Sequence, residues 1–286
     1  MATNPNRNWQ DRYLDRYYRS KPGYLKPADA WLKFLISQVL PEAVILEIGG
    51  GPAKSPSREL RPLARQLVGL DIDPVIQTNR LLDEAAVYDG NEFPFEAGRF
   101  DLVFSNWVNE HLPVPEVHFR EVLRVLKPGG CYVFRTPNRW HYKSLVASLV
   151  PAKIQVPLVR WLRQIPGEQH DPYPLFLRAN SARRIKGLLR SNGFSLRKLQ
   201  IVEPYPYYGM RSRILFVTFM GYERMVNWSP RLEGLRHTIE CVAEKPLAAS
   251  NESNPMMLAE ASKAARRRLD LPVAGVSGDQ ATPSAS

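Results

Sequence analysis

The 286-residue chain predicts an α/β protein: a largely parallel sheet covered on both faces by helices. Three observations predict it. Short apolar runs alternate with segments of helical spacing through the first half of the chain. The first of these runs feeds directly into Gly49-Gly50-Gly51. Apolar residues form 44% of the chain against 23% charged, enough for a sizeable core and inconsistent with wholesale disorder.

Taken in order, residues 1–28 are rich in Tyr and Arg and read as an N-terminal arm. Ala28 to Leu40 has helical apolar spacing, with Asp29 as the expected N-cap and Pro41 as the stop. Val44 to Ile48 reads as a buried strand entering the glycine turn. A helix is expected over Ser55–Gln66, then a second strand over Leu67–Leu70 that ends at Asp71. A third strand fits Ala86–Tyr88 and a fourth Phe100–Phe104. Val114–Leu126 reads as a helix, Lys127-Pro128-Gly129-Gly130 as a turn and Cys131–Phe134 as a fifth strand. Ser181–Arg190 reads as a helix with Asn180 or Ser181 as N-cap and Gly193 as the stop. Phe194–Val202 is a sixth strand, Ile214–Val226 a helix and His237–Ala243 a seventh strand. From Pro246 the composition turns to Ala, Ser, Asn and Pro, which predicts a low-complexity, disordered tail over 246–286. The domain proper is expected over 29–245.

The formal net charge of +11 invites a nucleic-acid reading, but its distribution matters more than its total. Residues 27–134 carry an acidic excess of five, whereas residues 135–200 carry a basic excess of eleven. Cys131 and Cys241 are too few for a disulfide framework and suit a reducing cytoplasm. No apolar run approaches the roughly 18 residues of a membrane-spanning helix.

Glycines directly after a buried strand let the backbone turn sharply and approach a ligand closely. Gly49 and Gly51 fit the first two positions of a dinucleotide loop, but Lys54 occupies the third, and no Gly-Lys-Ser/Thr follows for a nucleoside triphosphate. Glu47-Ile-Gly-Gly-Gly instead resembles the first motif of class I S-adenosylmethionine-dependent methyltransferases. Gly69-Leu-Asp71-Ile-Asp-Pro74, Asp89 with Phe93-Pro94-Phe95, and Phe100-Asp101-Leu-Val103 resemble the next blocks. Asn109-Glu110-His111-Leu112 and Arg124-Val-Leu-Lys-Pro-Gly-Gly130 resemble the signature of the type 11, quinone-biosynthesis-like subgroup.

The resemblance, which covers about residues 42–137, implies a Rossmann-like seven-stranded sheet with a cap inserted after strand five. It implies S-adenosylmethionine as cofactor, with Glu47, Gly49, Gly50, Gly51, Asp71, Ile72, Asp89, Gly90 and Asn106 around it and no metal. The chemistry agrees: this cofactor has a ribose diol and a cationic sulfonium but no phosphate, and Asp71, twenty residues beyond Gly51, can accept from both hydroxyls. Read as local structure alone, Asp71 is a helix N-cap and Asp89-Gly90 a turn, while the resemblance implies that Asp101 is structural and holds the sheet edge.

The resemblance places acceptor specificity in the arm and in inserts near 105–112, 139–178 and 204–230. Trp107, Asn138 and Tyr142 are expected in the acceptor pocket, and His111, His141 and His170 (next to Asp171) are the candidate bases. Methyl transfer from a sulfonium is a direct displacement, so a base is needed only for a poor nucleophile such as a hydroxyl. The expected activity is O-methylation of a small-molecule, glycan or lipid-linked acceptor, anionic in some readings. The mixed apolar and basic segment 144–164, with Lys153, Arg160 and Arg163, reads either as a pocket cap or as a contact with an anionic membrane at the inner face. Two alternatives stay open: a nucleic-acid-modifying enzyme or basic nucleic-acid binder, and a non-catalytic protein of the same fold.

Overall fold

The computed structural model describes residues 9–53, 56–149, 173–206 and 212–247. Seven strands form one sheet: β1 Ala43–Ile48, β2 Ala64–Asp71, β3 Glu84–Val87, β4 Phe100–Asn106, β5 Leu126–Pro137, β6 Ser195–Val202 and β7 Thr238–Glu244. Their spatial order is β3-β2-β1-β4-β5-β7-β6. The first five are parallel, and β7 runs antiparallel to both β5 and β6. The mostly parallel, seven-stranded expectation therefore holds. Chain direction across the sheet reverses between β1 and β4, the switch point at which open α/β sheets leave a crevice beyond the strand ends.

Both faces are covered. On one, Phe119, Val122 and Val125 of α4 (Pro115–Val125) pack with Ile185, Leu188 and Leu189 of α6 (Ala182–Asn192). On the other, Trp31 and Leu35 of α2 (Pro27–Ile36) and Leu60 of α3 (Ser57–Leu60) cover Ile45, Leu67, Leu102 and Val133. Every residue of β1 is buried, Glu47 included, and its other five residues are apolar, as befits a strand covered on both sides. Two further helices, α5 (Tyr142–Leu149) and α7 (Arg213–Trp228), follow β5 and β6.

Several local expectations need correction. The helix expected over Ser55–Gln66 is the single turn α3 and a 3₁₀ turn over Arg61–Leu63; Pro62 lacks the N–H that would carry the helical ladder on, and Ala64 is already extended. Strand β2 consequently starts at Ala64. Helix α2 starts at Pro27 and ends at Ile36; Asp29 lies inside its first turn and is not its cap. Lys127–Gly130 is not a free turn but an irregular stretch within β5, where Gly129 adopts φ +80°. Ser181 does cap α6, accepting from the Arg184 N–H, and Gly193 ends it at φ +86°.

The arm is helical from Trp9 to Arg19, with α1 over Trp9–Leu14 and a π-helical turn over Asp15–Arg19. Trp9, Tyr13 and Tyr18 set their rings edge-on to the buried Phe216 of α7, and the Tyr18 hydroxyl donates to Glu223 at 2.9 Å. The edge of the sheet where the parallel strands begin is tied by side chains. Asp101 accepts from the Val44 N–H (2.9 Å) and from Lys127 (2.8 Å), while Lys245 donates to the Leu126 carbonyl at 2.7 Å. Asp101 thus holds this edge, as the resemblance implied. Among the described residues, no helix is long and apolar enough to cross a membrane. The segment 150–172, with His170 and Asp171, and the tail beyond Leu247 lie outside the described residues.

Candidate active site

The opposite edge, where β1, β2 and β4 end, gathers the glycine turn and the acids. After β1 the Gly49 N–H donates across to the Leu70 carbonyl (2.8 Å), so the loop starts as an extension of the sheet. Gly49 then takes φ +75° and Gly51 φ +50°, left-handed conformations that side chains disfavour. A Cβ on Gly49 would lie 2.5 Å from Val108 Cγ2, so the turn is pressed against the segment that follows β4.

Asp71 closes the loop from β2. Its Oδ2 accepts from the Gly51 N–H at 2.9 Å and its Oδ1 from the Asp73 N–H at 3.0 Å. A carboxylate has about four lone-pair sites, so these two bonds orient Asp71 and leave acceptor capacity for a diol. Glu47 is buried and accepts from Ser57 Oγ at 2.5 Å, which ties β1 to α3 across the loop. Asn79, which the sequence did not single out, donates to the Gly51 carbonyl at 3.3 Å. Ile72 is exposed beside Asp71. Asp89 lies beyond β3, after Tyr88, whose N–H donates to the Asp71 carbonyl. The Asp89 carboxylate accepts from the Asn91 side chain and N–H, an Asx-type turn that holds it below the usual carboxylate range, and Gly90 follows at φ +92°.

On the β4 side, Trp107 adopts φ +60°, a strained conformation for a bulky residue. Its N–H donates to the Arg135 carbonyl, and the Arg135 guanidinium lies 5.0 Å from the rings of both Trp107 and Trp31. Arg135 also donates to Asn106 Oδ1 at 2.5 Å, and burial pulls its pKa down to about 10. Glu110 is buried and accepts from Thr136 Oγ1 (2.9 Å), which in turn accepts from Asn180 (2.7 Å). Burial pushes the Glu110 carboxyl up to about 7, against the pull of His111 and Lys143.

The candidate bases separate. His111 Nδ1 lies 3.0 Å from the Pro174 carbonyl, and its ring meets Tyr173, whose hydroxyl donates to Asp73 at 3.3 Å. His141 is buried: Nδ1 accepts from the Lys143 N–H, which puts the ring proton on Nε2, 3.3 Å from Glu203. The Asn138 amide donates to the Gly234 and Arg236 carbonyls and its oxygen accepts from the Trp140 N–H, so it braces main chain. Tyr142 stacks on Phe219 with centroids 5.2 Å apart. The sequence reading missed His237. Lys143 Nζ, which can only donate, lies 3.4 Å from His237 Nε2, so Nε2 is the unprotonated nitrogen and Nδ1–H faces Thr238 Oγ1 at 2.7 Å. The His237 ring also lies 5.9 Å from Trp107 and 4.8 Å from His141. No sequence signal marked it, because only the antiparallel return of β7 brings Thr238 opposite Pro137. No group of three His, Cys, Asp or Glu among the described residues is placed to hold a metal ion.

Residues 46–134, which contain the loop, Asp71 and the Trp107 segment, match the family model of a methyltransferase domain. Over this stretch the chain is similar to methyltransferase domains. Over 114 residues the chain is 31% identical to the chloroplastic tocopherol O-methyltransferase of Arabidopsis thaliana. Over 115 residues it is 35% identical to the ubiquinone/menaquinone biosynthesis C-methyltransferase UbiE of Nitrosospira multiformis. Each match takes in 36% of this chain, and 32% and 47% of those relatives, so less than half the length of either is shared. Residues 46–134 and their flanks share the fold of the geranyl diphosphate C-methyltransferase of Streptomyces coelicolor A3(2), with TM-score 0.52 at 16% identity over 85% of this chain and 86% of that one. They share it also with the [4+2]-cyclase SpnF, with TM-score 0.51 at 18% identity over 81% of this chain and 86% of that one. A cyclase on this fold shows why activity must be argued from the site.

Proposed function

We propose that this chain is an S-adenosylmethionine-dependent methyltransferase that O-methylates a small-molecule or lipid-linked acceptor in the cytoplasm. The observation that carries the cofactor reading is the loop itself. Main-chain groups of Gly49–Gly51 stand beside a carboxylate oriented by two N–H donors, with further acceptor capacity and no phosphate-binding lysine or Walker loop. Asp71 would hold the ribose diol, Asp89, Gly90 and Ile72 the adenine end, and Gly49 to Gly51 with Glu47 and Asn106 the amino-acid end. The acidic excess of residues 27–134 suits a cation. When bound, S-adenosylmethionine supplies a methyl group activated by its sulfonium.

The relatives named for tocopherol and for ubiquinone/menaquinone biosynthesis support a small-molecule acceptor. Oxygen as the target is supported by His237. Its Nε2, held unprotonated by the Nδ1–Thr238 contact, faces Lys143 at 3.4 Å; when the ammonium turns to an acceptor oxygen and favours the oxyanion, the Nε2 lone pair is released to take the hydroxyl proton. Basic residues that invited a nucleic-acid reading are engaged within the fold: Arg135 lies between two tryptophans, and Arg184 pairs with Glu116.

Calorimetry with S-adenosylmethionine tests the first half. Wild type should bind, and Asp71→Ala should bind about 10–100-fold more weakly, the loss expected of charge-assisted hydrogen bonds. No binding by wild type, or equal binding by the folded variant, sinks the cofactor reading; binding without turnover over a screen of hydroxylated acceptors favours a non-catalytic protein. Once an acceptor is found, His237→Gln should lower kcat by about 10²–10⁴ with cofactor affinity unchanged. An unaltered kcat and pH profile would remove the base.

A further inference from the structure

The outer face of α7 is more apolar than a solvent face should be. One side of the helix is buried through Phe216, Glu223 and Val226 against the N-terminal arm and its surroundings. The other side presents Ile214 (80% exposed), Val217, Met225 and Trp228 (85% exposed). Positions 214, 217, 221, 225 and 228 recur at helical spacing and form one stripe. Gly221 lies mid-stripe, where an added Cβ would meet only open space. The single hydroxyl close to the stripe, that of Thr218, donates back to the Ile214 carbonyl at 3.0 Å and so asks nothing of the surroundings. Exposed Arg213 flanks one side, next to Arg224, whose guanidinium also meets Glu223, the Tyr17 carbonyl and the Tyr18 ring. A continuous apolar stripe with a basic rim and a terminal Trp marks a surface that meets a partner.

We propose that this face of α7 seats on an anionic lipid surface. Size decides against a second copy of the chain as occupant. Sixteen residues make a helix about 24 Å long, and a face about 10 Å wide covers roughly 240 Å², well below the ~800 Å² per partner of a stable interface. Charge decides for lipid: Arg213 on the rim and the net charge of +11 favour an anionic leaflet. Trp228 and the adjacent aliphatic residues suit the headgroup boundary, where amphipathic helices lie in the plane of the membrane. Connectivity gives the contact a purpose. Helix α7 leaves the sheet after Val202 and returns to it at Thr238, both at the edge that carries the glycine loop and Trp107. Seating α7 brings that edge to the bilayer, a route for a lipid-soluble acceptor. This use rests on the acceptor reading above, whereas the docking does not.

Co-sedimentation of the full chain with vesicles tests it, using phosphatidylcholine alone and phosphatidylcholine with one quarter phosphatidylserine. Wild type should bind the mixed vesicles, less so in high salt. Ile214→Ser/Trp228→Ser should partition at least about tenfold more weakly, with unchanged melting temperature and S-adenosylmethionine affinity. Equal partition by wild type and variant overturns the proposal, as does absence of wild-type binding. So does binding that vanishes when residues 248–286 are deleted, which would place the lipid contact in the tail. A wild-type dimer that the double substitution converts to monomer without any vesicle binding would assign the face to a second copy. Vesicle binding that persists when no lipid-soluble acceptor is turned over upholds the surface and refutes only the acceptor reading.

Discussion

Replacing Gly49 by Ala perturbs the loop in two ways that can be separated by experiment. The residue sits at φ +75°, where a side chain costs about 1–2 kcal/mol. The new methyl would also approach Val108 Cγ2 to 2.5 Å. Val108 is β-branched, so it cannot swing clear by a small torsional change and must shift with its backbone. Overpacking of this kind costs about 1–3 kcal/mol, which brings the total to about 2–5 kcal/mol. Val108→Ala removes the colliding methyl but leaves the backbone strain untouched. In the double-mutant cycle Gly49→Ala and Val108→Ala should therefore couple favourably by about 1–2 kcal/mol. Urea denaturation of the four proteins measures this, and thermal melts should follow at about 2–4 °C per kcal/mol. Neighbouring Gly50 is the control: its φ is unremarkable and its Cβ would come no nearer than 3.4 Å to Ile76, so Gly50→Ala should cost less than about 1 kcal/mol. Additivity within about 0.5 kcal/mol, or equal costs at Gly49 and Gly50, would refute the argument that Val108 presses on the turn.

Three other outcomes are expected. The Glu110 carboxyl keeps its proton to about pH 7 in the folded protein and releases it near its ordinary 4.5 when unfolded. Its contribution is therefore complete below about pH 4.5 and is lost as pH rises through 7, a fall of up to about 3 kcal/mol. Glu110→Gln should flatten the stability–pH curve between those limits, and an unchanged slope would show that another group titrates there. Tyr132→Phe removes a buried hydroxyl that donates to Asn109 (3.0 Å) and contacts Ser105 (2.8 Å) and His118 Nε2 (3.0 Å). Burial holds His118 neutral, with its pKa pulled down to about 3, so it cannot gain by charging. The loss should be about 1–3 kcal/mol in a denaturant titration, and a neutral substitution would contradict the network. Ser181→Ala should cost about 1 kcal/mol through the lost cap on α6, whereas Ser181→Asp should restore it.

What could be read from the sequence was what local chemistry dictates. Buried strands such as Val44–Ile48 carry their own apolar signature, Gly193 announces the end of α6, and the glycine triplet next to a strand marks the tight turn proposed to hold the cofactor. Pro62 was also visible, and giving it more weight than the apolar spacing around it would have shortened the helix over Ser55–Gln66. The irregular start of β5 was less accessible. Lys-Pro-Gly-Gly is turn chemistry by any local rule, and only the pairing of Gly129 and Gly130 with Lys245 keeps it in the sheet. Contacts between distant positions were beyond reach: His141 with Glu203, Lys143 with His237 and Gly51 with Asn79 depend on strand order, which no single segment encodes.

The two edges of the sheet invite different rates of change. Where the parallel strands begin, Asp101, Lys127 and Lys245 cross-link three strands in a few residues, and substitutions there would loosen the whole framework. Where those strands end, long connections can be exchanged without touching those ties, because β7 returns antiparallel and delivers even the last connection to that side. Under the proposed function, acceptor preference can therefore drift among descendants of this chain while the framework beneath the glycine loop is inherited intact.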